Sequence, residues 1–159
     1  AAQVREAAEA TRFRYDGAPG RRGASQSRAT LWGGDTDGYV AEEDDEVALG
    51  AMVEDVAAVE AIDEILDVPA LSFVFVGPAD LSTSLEHPGE TSHPDVREAV
   101  ARVERAVADS DVALGGIAND PETAAEKCDR GYDLLRVGTD LAVVRSALGD
   151  RVVAIRDRL

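Results

Sequence analysis

Along the chain, short runs of unbroken apolar residues alternate with longer runs in which apolar residues recur every three or four positions. The short runs are Val47 to Val53, Phe73 to Val76, Val112 to Ile117 and Leu134 to Val137. Runs of that length, bounded by turn residues, predict strands covered on both faces, as in parallel sheets. Between them, Val56, Val59, Ile62, Ile65 and Leu66 fall on one face of a helix, and Val96, Val100, Val103 and Val107 do so again. The ends carry their own signals. Asp55 suits an N-cap, Pro94 suits the first turn of a helix, and Asn119-Asp120-Pro121 opens a helix that closes at Gly131 as its C′ residue. An Ala/Glu/Arg-rich start predicts a helix over 2–14, and a short acidic helix is expected over 39–45. Trp32 is the one large apolar anchor in the small, polar stretch 25–37. Leu141, Val144, Leu148, Val152 and Ile155 are expected to face inward from one or two final helices.

The order is therefore a helix followed by four strand–helix units. Regular β–α alternation implies a parallel sheet with right-handed crossovers. A complete (β/α)₈ barrel needs eight such units and typically ~250 residues. Residues 1–159 read as one domain, about half of such a barrel.

The pattern centres on Phe73 to Ser82. Gly77-Pro78 stops the strand, because proline has no N–H to donate and glycine permits a sharp turn. Asp80 is thereby delivered just past the C-terminal end, where ligands bind in α/β folds. The preceding strand likewise ends in Glu54, which has no local role once Asp55 takes the cap. Neighbouring strands lie roughly 5 Å apart, so the two carboxylates can converge. They repel unless a proton or a cation lies between them, and open oxygen donors suit Mg²⁺ or Mn²⁺. On position alone Asp80 reads first as a helix cap or a solvated loop residue, and for the pair of carboxylates a cation site and a merely polar rim stand level. His87 and His93 fall in a long loop from Leu81 to His93. Each precedes a proline, and both read as loop or cap residues rather than as a metal pair. The glycine-rich segment 16–23, with Arg21 and Arg22, is a weaker candidate for gripping an anion.

Charge narrows the partners. There are 32 acids against 16 Lys+Arg, a net charge of -16, and the single lysine is Lys127. Such a surplus repels nucleic acid and anionic membrane surfaces. The acids are scattered over helical segments, as in a surface adapted to high salt, so a halophilic host is expected. The lone Cys128 cannot form an internal disulfide, which fits a reducing cytoplasm, and is expected to be a small buried filler. No signal peptide or membrane-length apolar run is present, and the chain opens Ala-Ala-Gln as a processed, cloned or truncated product would.

Val76-Gly77-Pro78-Ala79-Asp80-Leu81-Ser82, with Leu85, His87, Pro88-Gly89 and Ser92-His93-Pro94 downstream, resembles the signature region of the HpcH/HpaI class II aldolases. The resemblance continues in Gly115-Gly116-Ile117, Asp120-Pro121-Glu122 and Val137-Gly138-Thr139-Asp140. Upstream it includes Gly20-Arg21-Arg22-Gly23, Tyr39 and Met52-Val53-Glu54. It implies strands five to eight of a (β/α)₈ barrel of the phosphoenolpyruvate/pyruvate type. It implies a divalent cation (Mg²⁺ or Mn²⁺, with Co²⁺ an alternative) held by Glu54 and Asp80, with Ala79 and the position of Met52 against substrate. The implied reaction cleaves or forms a 2-keto-3-deoxy sugar acid, or a related hydroxy-keto acid, from pyruvate and an aldehyde, in a homo-oligomer. The family usually has glutamine where Met52 stands, and a thioether is a weak acceptor and no donor. The family's catalytic histidine and carboxylate-binding arginine lie in the first half of the barrel. No residue here corresponds to either, so no catalytic residue is assigned, and His87 and His93 do not fill the gap. A citrate lyase β-subunit or malyl-CoA lyase type, and a non-catalytic half barrel, are the alternative expectations.

Overall fold

The computed structural model describes residues 1–23, 25, 31–33 and 38–159. Helix α1 (Ala2–Thr11) ends short of the expected 2–14, because Arg12 turns to extended backbone. Its guanidinium is buried and donates to the carbonyl oxygens of Asp44 and Val47, tying the helix end to the next segment. A hairpin of two short strands follows, β1 (Arg14–Tyr15) and β2 (Ala18–Pro19). Trp32 lies in a 3₁₀ turn, Leu31–Gly33, and is 69% exposed; it is not the anchor the sequence suggested. Most of the surrounding stretch 25–37 lies outside the described residues. The short acidic helix is present as α2 (Tyr39–Glu46).

Four parallel strands then form one sheet in chain order: β3 (Leu49–Val53), β4 (Leu71–Val76), β5 (Ala113–Ile117) and β6 (Leu134–Arg136). Between them run α3 (Val56–Glu60), α4 (Ile62–Leu66), α5 (Pro78–Ser84), α6 (Pro94–Ala108) and α7 (Pro121–Asp129), and α8 (Asp140–Arg156) follows β6. The single helix expected after Asp55 is two, broken at Ala61, but Val59, Ile62 and Ile65 are buried as its spacing predicts. The expected long loop from Leu81 is shorter, since α5 places Asp80 in a first helical turn. Gly131, with φ of 86°, takes the left-handed C′ position after α7, which an L side chain rarely adopts.

The sheet buries one face, not two. Along β3, Leu49, Ala51 and Val53 are buried while Gly50 and Met52 are exposed. On β4, Val74 and Val76 are buried but Phe73 and Phe75 only half so. The covered side packs Val53, Val74 and Leu114 with Ile62, Leu81 and Val103 into the core. The other side is an open apolar groove of about 620 Å³, lined by Met52, Phe73, Phe75, Ile117 and Leu134. With four strands the sheet has a second face that nothing among the described residues covers, and the strands keep a period of two.

Two further expectations fail. Leu141, Val144, Leu148, Val152 and Ile155 do not face inward, each being more than half exposed. The apolar residues of α8 run round the helix, with Val143 and Val153 exposed as well, so no single stripe docks on the sheet. Cys128 is exposed rather than a buried filler, on a helix that buries none of its residues.

Candidate functional site

The rim of the sheet is built by register. Val53 on β3 pairs with Val76 on β4, and the Gly77 N–H donates to the Val53 carbonyl at 3.0 Å, extending the ladder by one residue. Glu54 therefore stands beside Gly77. A methyl carbon built on Gly77 would lie 3.0 Å from both Glu54 Cβ and Oε2 and 3.3 Å from Met52 Cε. With φ of −104°, Gly77 serves here to leave space rather than to supply a conformation. The Glu54 carboxylate and the Met52 methyl group lie directly over the backbone that leads into α5.

Asp55 accepts from the Ala58 N–H at 2.7 Å as the N-cap, which leaves Glu54 without a capping role, as the sequence implied. Glu54 is half-buried; Ala79 and Asp80 are exposed. Asp80 is the third residue of α5, where a carboxylate faces the positive end of the helix dipole. No ion pair among the described residues engages Glu54 or Asp80. Ser82, fully buried, holds this turn from behind, donating to the Ala79 carbonyl at 2.6 Å and accepting from the Gly89 N–H at 3.1 Å.

The other candidates fall away from this rim. Arg22 pairs with Glu43 at 2.5 Å and lies over the Phe13 ring, and that carboxylate pushes its pKa up. Arg21 pairs with Glu6 at 3.4 Å, so the glycine-rich segment clasps its own chain rather than an anion. His93 is a cap, its Nδ1 accepting from the Asp95 N–H at 3.3 Å, as read from the sequence. His87 is more than a loop residue. Its ring stacks on His93 at 3.4 Å between centroids, and its Nε2 lies 3.1 Å from Asp95 Oδ2. The signal for this cluster is His-x₅-His-Pro-Asp, in which proline starts the helix and sets the acid next to its cap.

Between α6 and α7, Tyr132 donates to Glu104 Oε1 at 2.7 Å and Arg130 pairs with Glu104 Oε2 at 2.5 Å. Burial, then the hydrogen bond to Glu104, pushes the Tyr132 hydroxyl above its ordinary range. Lys127 lies 4.0 Å over the Tyr132 ring, and burial, with Arg130 nearby, pulls its pKa down. This polar group lies among the helices rather than at the acidic rim, and apart from the lone lysine it has no signal in the sequence.

The chain is similar to known proteins along nearly its whole length. It is 39% identical over 157 residues to a 2-keto-3-deoxy-L-rhamnonate aldolase of Klebsiella pneumoniae, covering 98% of this chain and 58% of that protein. It is 35% identical over 156 residues to the enzyme of that name from Escherichia coli K12, again 98% of this chain and 58% of the relative. The solved structure of a family protein from Burkholderia cenocepacia J2315 superposes with a TM-score of 0.89 at 34% identity, over 98% of this chain and 61% of that one. The chain thus spans about 58% of the length of the curated relatives it matches. The four parallel β/α units are half of the barrel architecture of these proteins. With the family model for HpcH/HpaI aldolase/citrate lyase matching residues 1–147, the chain belongs to that family.

Proposed function

We propose that this chain carries the cation-binding half of the active site of a divalent-metal aldolase that joins or separates pyruvate and an aldehyde. The observation that carries the reading is the placement of Glu54 and Asp80. They follow adjacent parallel strands at the C-terminal rim, one half-buried over Gly77 and the other exposed in the first turn of α5. Two carboxylates with no ion-pair partner among the described residues are hard oxygen donors and fit Mg²⁺, Mn²⁺ or Co²⁺. Bound there, such a cation supplies Lewis-acid polarisation of a keto acid's oxygens.

The chain's own residues do the positioning. Gly77 keeps the Glu54 carboxylate against the rim, and Ser82 fixes the Ala79 carbonyl so that the turn bearing Asp80 keeps its shape. The Ala79 N–H, at the second position of α5, has no intrahelical acceptor and is free for a substrate oxygen. Met52 presents a thioether to the same space, which favours an apolar over a hydrogen-bonded substrate contact there. The aldolases among its relatives support a 2-keto-3-deoxy sugar acid as substrate class, in preference to an acyl-CoA thioester. A homo-oligomer in the cytoplasm completes the reading.

Titration with Mn²⁺, followed by electron paramagnetic resonance of the free ion, tests the site. One ion per chain is expected, with binding abolished in Asp80→Ala and the melt nearly unchanged, because Asp80 is exposed. Undiminished binding by Asp80→Ala would sink the proposal.

A further inference from the structure

We propose that His87, His93 and Asp95 form a second cation site, separate from Glu54 and Asp80, that takes a borderline transition-metal ion such as Zn²⁺. The inference is independent of the proposed activity. The chain has two histidines, and the fold stacks both of them beside one carboxylate. One ligand atom from each of the three residues lies within 4.8 Å of the others. The His87 Nε2–Asp95 Oδ2 distance is 3.1 Å and His93 Nδ1–Asp95 Oδ2 is 3.7 Å. A tetrahedral ion with bonds of ~2.0–2.2 Å sets its ligand atoms roughly 3.3–3.6 Å apart, so the observed distances bracket what it needs. Two imidazoles and a carboxylate are a donor set for Zn²⁺, Co²⁺ or Ni²⁺, whereas the oxygen-only pair at the rim suits harder ions.

The backbone holds these side chains in place. The His87 N–H donates to the Ser82 carbonyl at 2.8 Å, and the Gly89 N–H donates to the buried Ser82 hydroxyl. Two successive turns then fold the chain back, Glu90 N–H to the His87 carbonyl at 3.0 Å and His93 N–H to the Glu90 carbonyl at 2.8 Å. A helix cap needs His93 alone. It does not need a second imidazole stacked above it, nor the Asp95 side chain turned towards both rings.

The cluster is also reachable. His87 and His93 side chains are 26% and 28% exposed and Asp95 62%, so an ion can enter and water can complete its shell. The His93 Nδ1 that accepts from the Asp95 N–H is also the nitrogen that faces the Asp95 carboxylate, so an ion bound there takes that lone pair from the cap and replaces one 3.3 Å hydrogen bond. Imidazole lone pairs lie in the ring plane, so the rings, now 22° from parallel, splay into a wedge when an ion binds. Occupancy fastens the loop after α5 to the start of α6.

The test is a Zn²⁺ titration of the untagged chain, read by NMR of the imidazole nitrogens and by metal analysis after dialysis. One Zn²⁺ per chain is expected, with both histidine rings shifting together and Co²⁺ giving a tetrahedral visible spectrum. The rings report in the unaltered chain, so this readout needs no variant to fold. His87→Gln and Asp95→Asn, neither of which removes the His93 cap, should each weaken Zn²⁺ binding by about tenfold or more. Glu54→Gln with Asp80→Asn, and Cys128→Ser separately, should leave it unchanged. Ring signals that do not move at millimolar Zn²⁺ would overturn the proposal. So would Zn²⁺ binding that survives His87→Gln intact, or that disappears with Glu54→Gln and Asp80→Asn.

Discussion

Gly77→Ala separates the fold from the rim site. The added methyl carbon lands 3.0 Å from Glu54 Cβ and Oε2 and 3.3 Å from Met52 Cε, against ordinary carbon contacts of ~3.5–4.0 Å. Both neighbours must move by half an ångström or so. They can, because Met52 is 53% exposed and Glu54 half-buried, and φ of −104° is open to alanine. The packing cost therefore falls at the low end for overpacking, ~1 kcal/mol. It is partly offset by the ~0.4–1 kcal/mol that alanine gains over glycine through the unfolded chain. A melting shift of no more than ~2–4 °C follows for a chain of this size. The carboxylate, however, is pushed off the rim, and Mn²⁺ affinity should fall at least tenfold, or ~1.4 kcal/mol. Calorimetric Mn²⁺ titrations and thermal melts of the wild-type chain, Gly77→Ala and Glu54→Ala decide it. Wild-type Mn²⁺ affinity in Gly77→Ala, with binding lost in Glu54→Ala, would refute the idea that the ligand carboxylate sits on Gly77.

Three further outcomes are expected. With a net charge of -16, the melting midpoint should rise as potassium chloride shortens the screening length from ~10 Å at 0.1 M to ~3 Å at 1 M; a flat midpoint would count against it. At alkaline pH, the raised Tyr132 pKa means stability is present below the phenol's ordinary value near 10 and is lost above it, because the folded state keeps a proton that the unfolded state releases. The lowered Lys127 pKa acts oppositely, adding stability as pH rises towards 10.5, so urea melts of Tyr132→Phe should lose the alkaline decline and keep the rise. Finally, residues 1–159 alone should release little pyruvate from a 2-keto-3-deoxy sugar acid with Mg²⁺ or Mn²⁺, since a positioned general base is worth ~10²–10⁴-fold and none is assigned here. A segment supplying the remaining barrel strands should restore turnover, and full activity without it would refute the reasoning.

The covered half of the structure was legible in the sequence because local rules decide it. Asp55, His93 and Asp120 cap helices through their side chains, and Gly131 ends one, each from a single residue's chemistry. The four strands and their parallel order follow from spacing alone. What spacing cannot tell is whether both faces of an apolar strand are covered. Phe73 and Phe75 read as core, yet they line an open groove, because burial depends on elements elsewhere in space. The same limit applies to α8 and to Cys128. At the rim, the positions of Glu54 and Asp80 just past adjacent strands were legible because strand ends are; the clearance at Gly77 and the stacking of the two histidines were not, since both depend on how a turn folds back.

The acidic rim and the apolar groove are two aspects of one surface. Met52 belongs to both, lying over Gly77 beside Glu54 and lining the groove with Phe73 and Phe75. That apolar face is flanked by the outer edges of β3 and β6, which pair with no other strand among the described residues. While it faces water, the field around Glu54 is strongly screened, and a cation held there as proposed would gain little from each carboxylate. Covering the groove removes that water. The attraction between unit charges ~4 Å apart then rises from ~1 kcal/mol in water towards ~4 kcal/mol at the effective dielectric of a protein surface. Burial of the sheet's inner face and cation affinity at its rim should therefore rise together, because Glu54 and Met52 are neighbours on the same strand end.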